Sequence, residues 1–436
     1  MKNHLLKLTI GAALLAAAAT AQAEDDAPKL AVPGLPEGTT VDLEFSAGWG
    51  FFGFGNSLYA NSHDEVTQDL SSNWMEGYVK GGFSLTHKLA SGGEFYGKLT
   101  GVGERTYNAP PPVVGGEASS FDVEDLHVGW RNEQFDVMVG RGQYQQGHGM
   151  LIYDGASEGG SRGGFWSGAR KAWEYAVVGR VSNDRHAIEM FYLDRDELPE
   201  ADTDTTLAGA NYELTLGEHT TLGVSYLKVD SDEVTRDNMD VYNFRAFTAP
   251  LRKVPGLEFE LEYAQEENGD ALATVGWSVQ TAYTLVNVGW KPKLSYRYAF
   301  FEGDDPATAR SEGFDMLFPG FHDWGTWWQG EIAGEYFLAN SNLISHQLRL
   351  HFEPSSSIGA GLIGYVFQLD QPASFAAGAT SDDLAAEIDG YIDWSINDNF
   401  TASLVLAYAE PDDAIEQGLG RTESLSYGMV YLSYSY

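Results

Sequence analysis

From residue 41 to its end, the chain alternates apolar and polar residues with a period of two in one segment after another. Successive side chains of a β-strand point to opposite faces of the sheet, so each segment has one apolar and one polar face. After residue 23 no stretch contains 18 consecutive apolar residues, the length that a membrane-spanning helix requires. The pattern therefore predicts an all-β chain in which every strand is apolar on one side.

Eighteen segments show this alternation, and short turns such as 132–134 alternate with long loops such as 144–172 and 303–342. Bacterial transmembrane barrels have short periplasmic turns and long extracellular loops. We therefore predict a single transmembrane antiparallel β-barrel of about 18 strands, with both chain ends on the periplasmic side. The apolar stretch 327–338 is assigned to a loop, because a nineteenth strand would reverse the alternation. The predicted strands are 41–52, 74–88, 93–107, 121–131, 135–143, 173–181, 185–195, 205–216, 220–230, 239–250, 257–267, 271–286, 292–302, 343–354, 357–369, 383–396, 399–409 and 424–436.

The last predicted strand ends on an aromatic residue and has one largely apolar face. Counting back by twos from Tyr436 gives Tyr434, Leu432 and Val430, a face that could contact lipid. The strand resembles the C-terminal signal by which outer-membrane barrels are inserted, which implies the barrel-insertion machinery as a partner. The alternative interpretation is an ordinary amphipathic terminal strand.

The first 23 residues have the organisation of a secretory signal peptide. Lys2 and Lys7 form a positive head, residues 8–20 are apolar, and the small-residue site Ala-Gln-Ala ends at Ala23. An uncleaved membrane helix is the alternative, but the apolar run is too short for one. The predicted organisation is a signal peptide at 1–23, a periplasmic tail at 24–40 and an outer-membrane barrel at 41–436.

Composition narrows the possible partners and chemistry. The formal charge is −37, and part of it lies in acidic runs such as Asp304 and Asp305, which we interpret as solvated loop surface. Such acidity disfavours nucleic acid as a partner. The absence of Cys leaves neither disulfides nor thiolate metal sites. An aromatic share of 13% with a mean hydropathy of −0.26 fits a barrel with a polar lining and aromatic girdles.

Charged residues occupy the polar face of many strands, which is predicted to face the lumen. In one strand Tyr296 and Tyr298 point outward and leave Arg297 inside; at the lipid midplane an Arg or Lys would cost about 2–4 kcal/mol. The lumen is therefore predicted to carry both signs of charge and to hold water. By the same parity the inward basic residues include Lys80, Lys98, Arg180, Arg245, Arg297 and Arg349, and the inward acidic residues include Glu44, Glu76, Asp125, Glu189, Glu213, Glu387, Asp389 and Asp393.

Glu258, Glu260 and Glu262 add a one-sided acidic ladder on a single strand. Three interpretations remain open at this point. The ladder could pair locally with cations of the wall, it could form a cation path through the lumen, or it could hold a divalent ion.

No catalytic motif is present: the chain lacks G-x-S-x-G, H-E-x-x-H and a Walker loop. His148 and Asp154 share one loop, which keeps an outer-membrane hydrolase as an alternative. Trp324, Trp327 and Trp328 could stack on sugar rings, although belts and loop packing are the commoner roles of such residues. We predict no enzymatic activity, no cofactor and no metal.

Two patches resemble alginate-export-type outer-membrane channels. The first is 125–130 (DLHVGW), then 137–143 (VMVGRGQ), 147–149 (GHG) and 168–170 (GAR). The second is 313–320 (GFDMLFPG) with 342–344 (NLI) and Pro354. The resemblance implies an 18-stranded channel whose basic lumen guides an anionic polysaccharide, with Arg141 and Arg170 at matching positions. The sequence departs from the family at Gly142, which separates Arg141 from Gln143, and at His148, which replaces an acidic residue.

We predict a monomeric porin that passes hydrophilic solutes passively and contacts outer-membrane lipid. One alternative is a dedicated exporter of an acidic exopolysaccharide, which would need a basic cluster at the narrowest point. The others are the hydrolase and a structural barrel that its own loops plug and that conducts nothing.

Overall fold

The computed structural model describes residues 34–56, 72–109, 116–217, 219–248, 254–320, 324 and 327–436. The predicted signal peptide and the first ten residues of the predicted periplasmic tail lie outside these ranges.

The described strands form a single closed antiparallel barrel, so the predicted fold class is confirmed. Each strand pairs with its neighbours in sequence, and the ring closes where β1 pairs with β18, Trp49 lying opposite Leu432. The strands are β1 Thr39–Gly55, β2 Ser72–Lys88, β3 Glu94–Ala109, β4 Gly116–Arg131, β5 Phe135–Gly142, β6 Trp173–Ser182, β7 His186–Asp194, β8 Thr206–Leu216, β9 Thr220–Asp230, β10 Asp240–Thr248, β11 Leu257–Asn268, β12 Leu272–Thr284, β13 Lys293–Phe301, β14 Leu343–Ser355, β15 Ile358–Gln368, β16 Asp383–Ser395, β17 Phe400–Pro411 and β18 Leu425–Ser435.

The helices of the described residues are short. They are a 3-10 turn at Gly160–Arg162, a π-helix at Gly330–Leu338 and α-helices at Pro372–Phe375 and Asp413–Leu419. None of them has the length and hydropathy needed to cross a membrane. The stretch 327–338 thus forms no nineteenth strand, as predicted.

The alternation of apolar and polar residues in the sequence corresponds to the alternation of outward and inward side chains in the barrel wall. On β16 the side chains of Ile388 and Ile392 are exposed on the outer surface, whereas those of Glu387, Asp389 and Tyr391, at the opposite parity, are buried inside. Period-two geometry puts these two sets on opposite faces of the sheet. The outer surface of this strand is therefore apolar, and its carboxylates Glu387 and Asp389 point inward.

The two ends of the barrel differ in their connections. The end that holds Thr39 and Ser435 is called the short-turn end here, and the opposite end the long-loop end. Three connections depart from the predicted alternation: 269–271 is a tight turn at the long-loop end, and 249–256 and 285–292 are each eight residues long at the short-turn end. The strands are still antiparallel, because the direction of each strand depends on its order in the chain and not on the length of its connections.

A bulge in β4 turns one more side chain toward the inside of the barrel. Thr100 pairs with Asp125 while Gly101 pairs with Val123, so Glu124 is the extra residue of β4. A bulge interrupts the alternation of a strand, and both Glu124 and Asp125 are consequently buried inside the barrel.

The 143–172 loop and the described residues of the 302–342 loop (302–320, 324 and 327–342) fold into the barrel and pair with each other; together they are called the plug. Ile152 forms a parallel bridge with Phe318. The Phe318 N–H donates to the Leu151 carbonyl at 3.0 Å, and the Gly320 N–H donates to the Gly149 carbonyl at 3.0 Å. The apolar side chains of the plug pack against inward aromatic residues of the wall, so the hydrophobic core of the molecule lies inside the long-loop half of the barrel. Its members include Met150, Leu151, Ile152, Trp173, Phe318, Trp327 and Ile332 from the plug and its margin, and Phe52, Trp74 and Tyr427 from the wall.

Candidate functional site

The interior is built around wall carboxylates that accept hydrogen bonds from the plug backbone. Glu76 on β2 is fully buried and accepts the N–H groups of Trp166 at 2.7 Å and Ser167 at 2.8 Å. The indole N–H of Trp74 donates to its other oxygen at 2.9 Å. A buried backbone N–H needs an acceptor, and Glu76 supplies one for both of these groups. Glu76 therefore holds the 143–172 loop against the wall.

The same arrangement recurs on three other strands. Glu124 on β4 accepts the N–H of Lys171 at 3.0 Å, and Glu266 on β11 accepts the N–H of Asp315 at 2.9 Å. Glu387 on β16 accepts the N–H groups of Ile332 at 2.9 Å and Ala333 at 2.6 Å, in the first turns of the π-helix. Glu76, Glu124, Glu266 and Glu387 are called the anchoring carboxylates below.

A loop carboxyl group lies close to the last of these. Burial in the plug and, to a smaller extent, the nearby charge of Glu387 together raise the pKa of Glu331 to about 8. At neutral pH this group is therefore mostly protonated in the docked loop.

The two arginines singled out by the family resemblance hold the plug in place. Arg170 is 1% exposed, and its Nε donates to Glu104 Oε2 at 3.0 Å. Arg141 and Arg162 each donate to a different oxygen of Asp196, which follows β7. Within the described residues these arginines therefore face carboxylates, and their charge is neutralised locally.

Arg141 reaches the interior because the backbone turns at Gly140. Strict alternation from Val137 and Val139, which are exposed on the outer surface, would put Arg141 on that surface. Gly140 has a φ of 123°, and the register with β6 shifts between Gly140 and Gly142. That conformation favours glycine, and it allows the Arg141 guanidinium to reach Asp196.

Two further predicted lumen arginines are buried beneath the plug. Arg245 is 1% exposed, donates to Ser225 Oγ at 3.2 Å and lies opposite Glu262 in the strand register. A Cβ at Gly147 would lie 2.6 Å from Arg245 Cδ, so the plug backbone packs directly on this side chain. Arg297 is 2% exposed and donates to Gln329 Oε1 at 3.3 Å.

Arg349 belongs to a half-buried aromatic cluster nearer the short-turn end. Its Nε donates to the Tyr391 hydroxyl at 2.9 Å. The Tyr391 ring stacks on Trp324 with centroids 5.1 Å apart, and the Trp324 indole N–H donates to Asp393 at 2.6 Å. The prediction that Trp324 could stack on a sugar is untested, but one ring face is already used by Tyr391.

The short-turn half of the interior keeps charged side chains partly exposed. The Lys98 ammonium lies 3.4 Å from Glu44, and the Arg180 guanidinium lies 3.3 Å from Glu189 with 48% of the Arg180 side chain exposed. Cations and carboxylates alternate here in pairs that water can reach. This set is called the open lumen and comprises Glu44, Lys80, Lys98, Arg180, Glu213, Glu258, Glu260 and Lys293.

The three glutamates of the acidic ladder meet three different environments. Glu258 lies 2.5 Å from the Lys293 ammonium, and Glu260 lies 3.8 Å from His148 Nδ1. Glu262 is buried and accepts from the Asn243 amide at 3.1 Å. No group of three His, Asp or Glu side chains in the described ranges is arranged to hold a metal ion. The geometry is that of local pairing.

His148 stands where the plug meets the open lumen. It lies between Gly147 and Gly149, both with positive φ, and its carbonyl accepts the indole N–H of Trp327 at 2.9 Å. Its ring stacks on Phe247 with centroids 3.8 Å apart. Its ionic neighbour is Glu260, so the His148–Asp154 hydrolase hypothesis gains no support from the contacts.

Asp154 lies in a different environment within the plug. Its carboxylate accepts the N–H of Ala156 at 3.3 Å. Burial raises its pKa, while the neighbouring Lys171 and Arg195 act in the opposite direction.

Sequence reasoning missed Glu104, Glu124, Glu266 and Asp196, which all bind the plug. Glu104 shares the inward parity of Lys98, and Glu266 that of Glu262, so a longer count along β3 and β11 could have found them. Glu124 needed knowledge of the bulge, and Asp196 lies beyond the end of a strand.

Several solved structures are similar to this one over nearly the whole chain. Pseudomonas aeruginosa OpdQ matches with a TM-score of 0.60 at 10% identity, covering 91% of this chain and 97% of that one. Acinetobacter baumannii OccAB4 matches with a TM-score of 0.57 at 8% identity, covering 91% and 98%. The outer membrane protein OprD from Pseudomonas aeruginosa matches with a TM-score of 0.57 at 13% identity, covering 91% and 93%.

No protein-family model and no curated protein matches the chain. The resemblance to alginate-export channels is not confirmed. What the structural matches share with this chain is the fold, a closed barrel of 18 antiparallel strands.

Proposed function

We propose that the protein is an outer-membrane channel of a Gram-negative bacterium that passes small hydrophilic solutes passively. The observation that carries this proposal is the open lumen, where charges of both signs stay partly exposed inside a ring with an apolar outer surface. Leu348 and Leu362 are more than half exposed on that outer surface. Partly exposed charges such as Arg180 require water, and exposed leucines suit lipid.

The plug would set the size limit of such a channel. It fills part of the long-loop half, and its tip at His148 borders the open lumen. A solute would therefore meet its narrowest passage beside the plug and a wider, charged space toward the short-turn end.

The charge pattern supports neutral, zwitterionic or cationic solutes over polyanions. Arg141, Arg170 and Arg245 face carboxylates or amides, so they offer an anion little free positive charge. The exporter of an acidic exopolysaccharide would need a basic cluster at the constriction, and no observation favours one.

The remaining parts of the proposal concern assembly. A signal peptide at 1–23 would carry the chain to the periplasm, and the last strand, with Tyr434 and Tyr436, would be read by the barrel-insertion machinery. We propose a monomer that needs neither a cofactor nor an energy source.

Planar-bilayer recording of the purified protein in a KCl gradient tests this function. We expect a steady conductance with a modest cation preference, because acidic loops surround the long-loop end. Reversal on the anion side, together with block by a polyuronate, would favour the exporter.

A second candidate is the non-conducting structural barrel, and the buried apolar plug is the observation that favours it. Complete absence of conductance from a correctly folded protein would decide for it. A matched control is the heat-denatured protein added at the same concentration, which must give no channels.

A further inference from the structure

One turn at the short-turn end differs in composition from the turns of three other hairpins at that end. The turns 132–134, 183–185 and 356–357 consist of polar residues. The eight-residue turn 285–292 instead reads LVNVGWKP, and four of its large apolar side chains are exposed. They are Leu285, Val286, Val288 and Trp290, of which Trp290 is 62% exposed.

The turn is held in this shape by hydrogen bonds. The Leu285 N–H donates to the Pro292 carbonyl at 2.8 Å, and the Glu353 N–H of β14 donates to the Trp290 carbonyl at 2.8 Å. The Lys291 ammonium lies 2.9 Å from the Glu353 carboxylate.

Trp290 and Lys291 have φ values of 68° and 37°, a conformation that side chains other than glycine rarely adopt. Because the turn is strained and bonded to Glu353 of the next hairpin, its apolar residues are held in fixed positions on the surface. Large apolar residues fixed in contact with water are unfavourable, so the turn calls for an apolar partner.

The apolar surface of the turn continues that of the wall. Tyr283 on β12 and Leu294 on β13 are opposite each other in register, and both are exposed on the outer surface. They are the last outward residues of their strands, and Leu285 follows Tyr283 by two positions. The outer apolar surface therefore runs without a break from the wall into the turn.

We propose that the 285–292 turn is an interfacial anchor whose partner is the phospholipid surface of the inner leaflet. This inference rests on the proposed outer-membrane location. Tryptophan prefers the membrane–water interface, with its ring among the headgroups. The Lys291 ammonium beside Trp290 neutralises the Glu353 carboxylate, so this part of the turn presents no unpaired negative charge to the lipid phosphates. The polar turns 132–134, 183–185 and 356–357 project into water, so the barrel is held more deeply at the 285–292 turn than at these three.

Site-directed spin labelling tests the anchor, and the natural absence of Cys makes single-cysteine variants clean. The test variant is Val288→Cys. The water control is Glu133→Cys in a polar turn, and the lipid control is Leu362→Cys in the middle of the outer surface. All three positions are exposed, so the substitutions leave the packed interior intact. Each labelled protein is placed in phosphatidylethanolamine and phosphatidylglycerol vesicles, and collisions with oxygen and with a water-soluble nickel chelate are compared.

The ratio of oxygen to nickel collisions at position 288 is expected to be severalfold above that at 133 and to approach that at 362. A label at 288 that behaves like the one at 133, while 362 reports lipid, overturns the anchor and leaves the membrane location intact. A label at 362 that reports water overturns the membrane location and the anchor with it. Protection of position 288 only in native outer membranes, and not in lipid vesicles, also overturns the anchor because a protein would then cover the turn.

Discussion

Four glutamates on the inner face of β11 live in two different environments. Glu258 and Glu260, near the short-turn end, keep 24% and 26% of their side chains exposed. Glu262 and Glu266, further along the same face, are 3% and 0% exposed because the plug covers them. All four are the same residue type on the same face of the strand. Whether each carboxylate contacts water or protein depends on whether the plug lies over it.

The two halves of the interior show this contrast throughout. In the long-loop half, carboxylates replace water with backbone N–H groups and guanidinium groups of the plug, and every such group needs a fixed partner. In the open lumen, charges keep their water and can exchange partners. The long-loop half is therefore built for rigidity, and the short-turn half is free to interact with solutes.

Replacement of a buried arginine should give the largest difference between the halves. Arg170→Met leaves Glu104 buried without its cation, and breaking such a pair typically costs about 3–5 kcal/mol. Arg180→Met removes an exposed partner of Glu189 and should cost about 0–1 kcal/mol. Urea titration, followed by hydrogen exchange at the Lys171 amide, measures the opening of the plug. Equal effects of the two substitutions would contradict the contrast.

Removal of one anchoring charge should have the next largest effect. Glu76→Gln replaces an acceptor of three N–H groups by an amide that directs a donor at two of them, with an expected loss of about 2–3 kcal/mol in plug docking. Single-channel recording should show larger and noisier currents. Glu44→Gln is the matched control in the open lumen, and noise of the same size there would count against the anchoring role.

The raised pKa of Glu331 predicts that alkaline pH loosens the plug. The docked loop holds a proton up to about pH 8, whereas the released loop loses it near its ordinary value of 4.5. The released state thus binds fewer protons between these values, so docking weakens as pH rises through this window. Conductance should increase between about pH 5.5 and about pH 8.5. Glu331→Gln should weaken the dependence but not abolish it, since burial also raises the pKa of Glu335 in the same helix. An unchanged pH profile in that variant would exclude Glu331 as a source.

The smallest effect is expected for ion selectivity. Lys293→Met removes a cation of the open lumen beside Glu258 and should shift the cation-to-anion permeability ratio upward by less than about fivefold, since pairs that water reaches interact by about 1 kcal/mol or less. Lys291→Met, in the 285–292 turn outside the lumen, should leave the permeability ratio unchanged. Reversal potentials in a KCl gradient measure both, and a larger shift for Lys291 would move the solute path away from the open lumen.

The strands were predictable because alternation is local information. Val137 and Val139 mark the outer face of their strand without any knowledge of neighbouring strands. The free energy that Arg297 would cost if it faced lipid decides which face of a strand points inward. The bulges at Glu124 and Gly140 were not predictable, because each depends on the register of a partner strand. The fate of Glu262 was also hidden, since the loop that covers it comes from residues more than a hundred positions away along the chain.

The bridge between Ile152 and Phe318 joins loops that leave the ring at β5 and β13, which lie almost diametrically across 18 strands. A ring of strands can flatten toward an oval by small changes of angle between neighbours. The Ile152–Phe318 connection across the barrel interior opposes that flattening, because an oval outline would pull the two loops apart or press them together. At the outer-membrane location proposed above, lateral pressure should therefore change the cross-section of this barrel less than that of one whose loops do not meet.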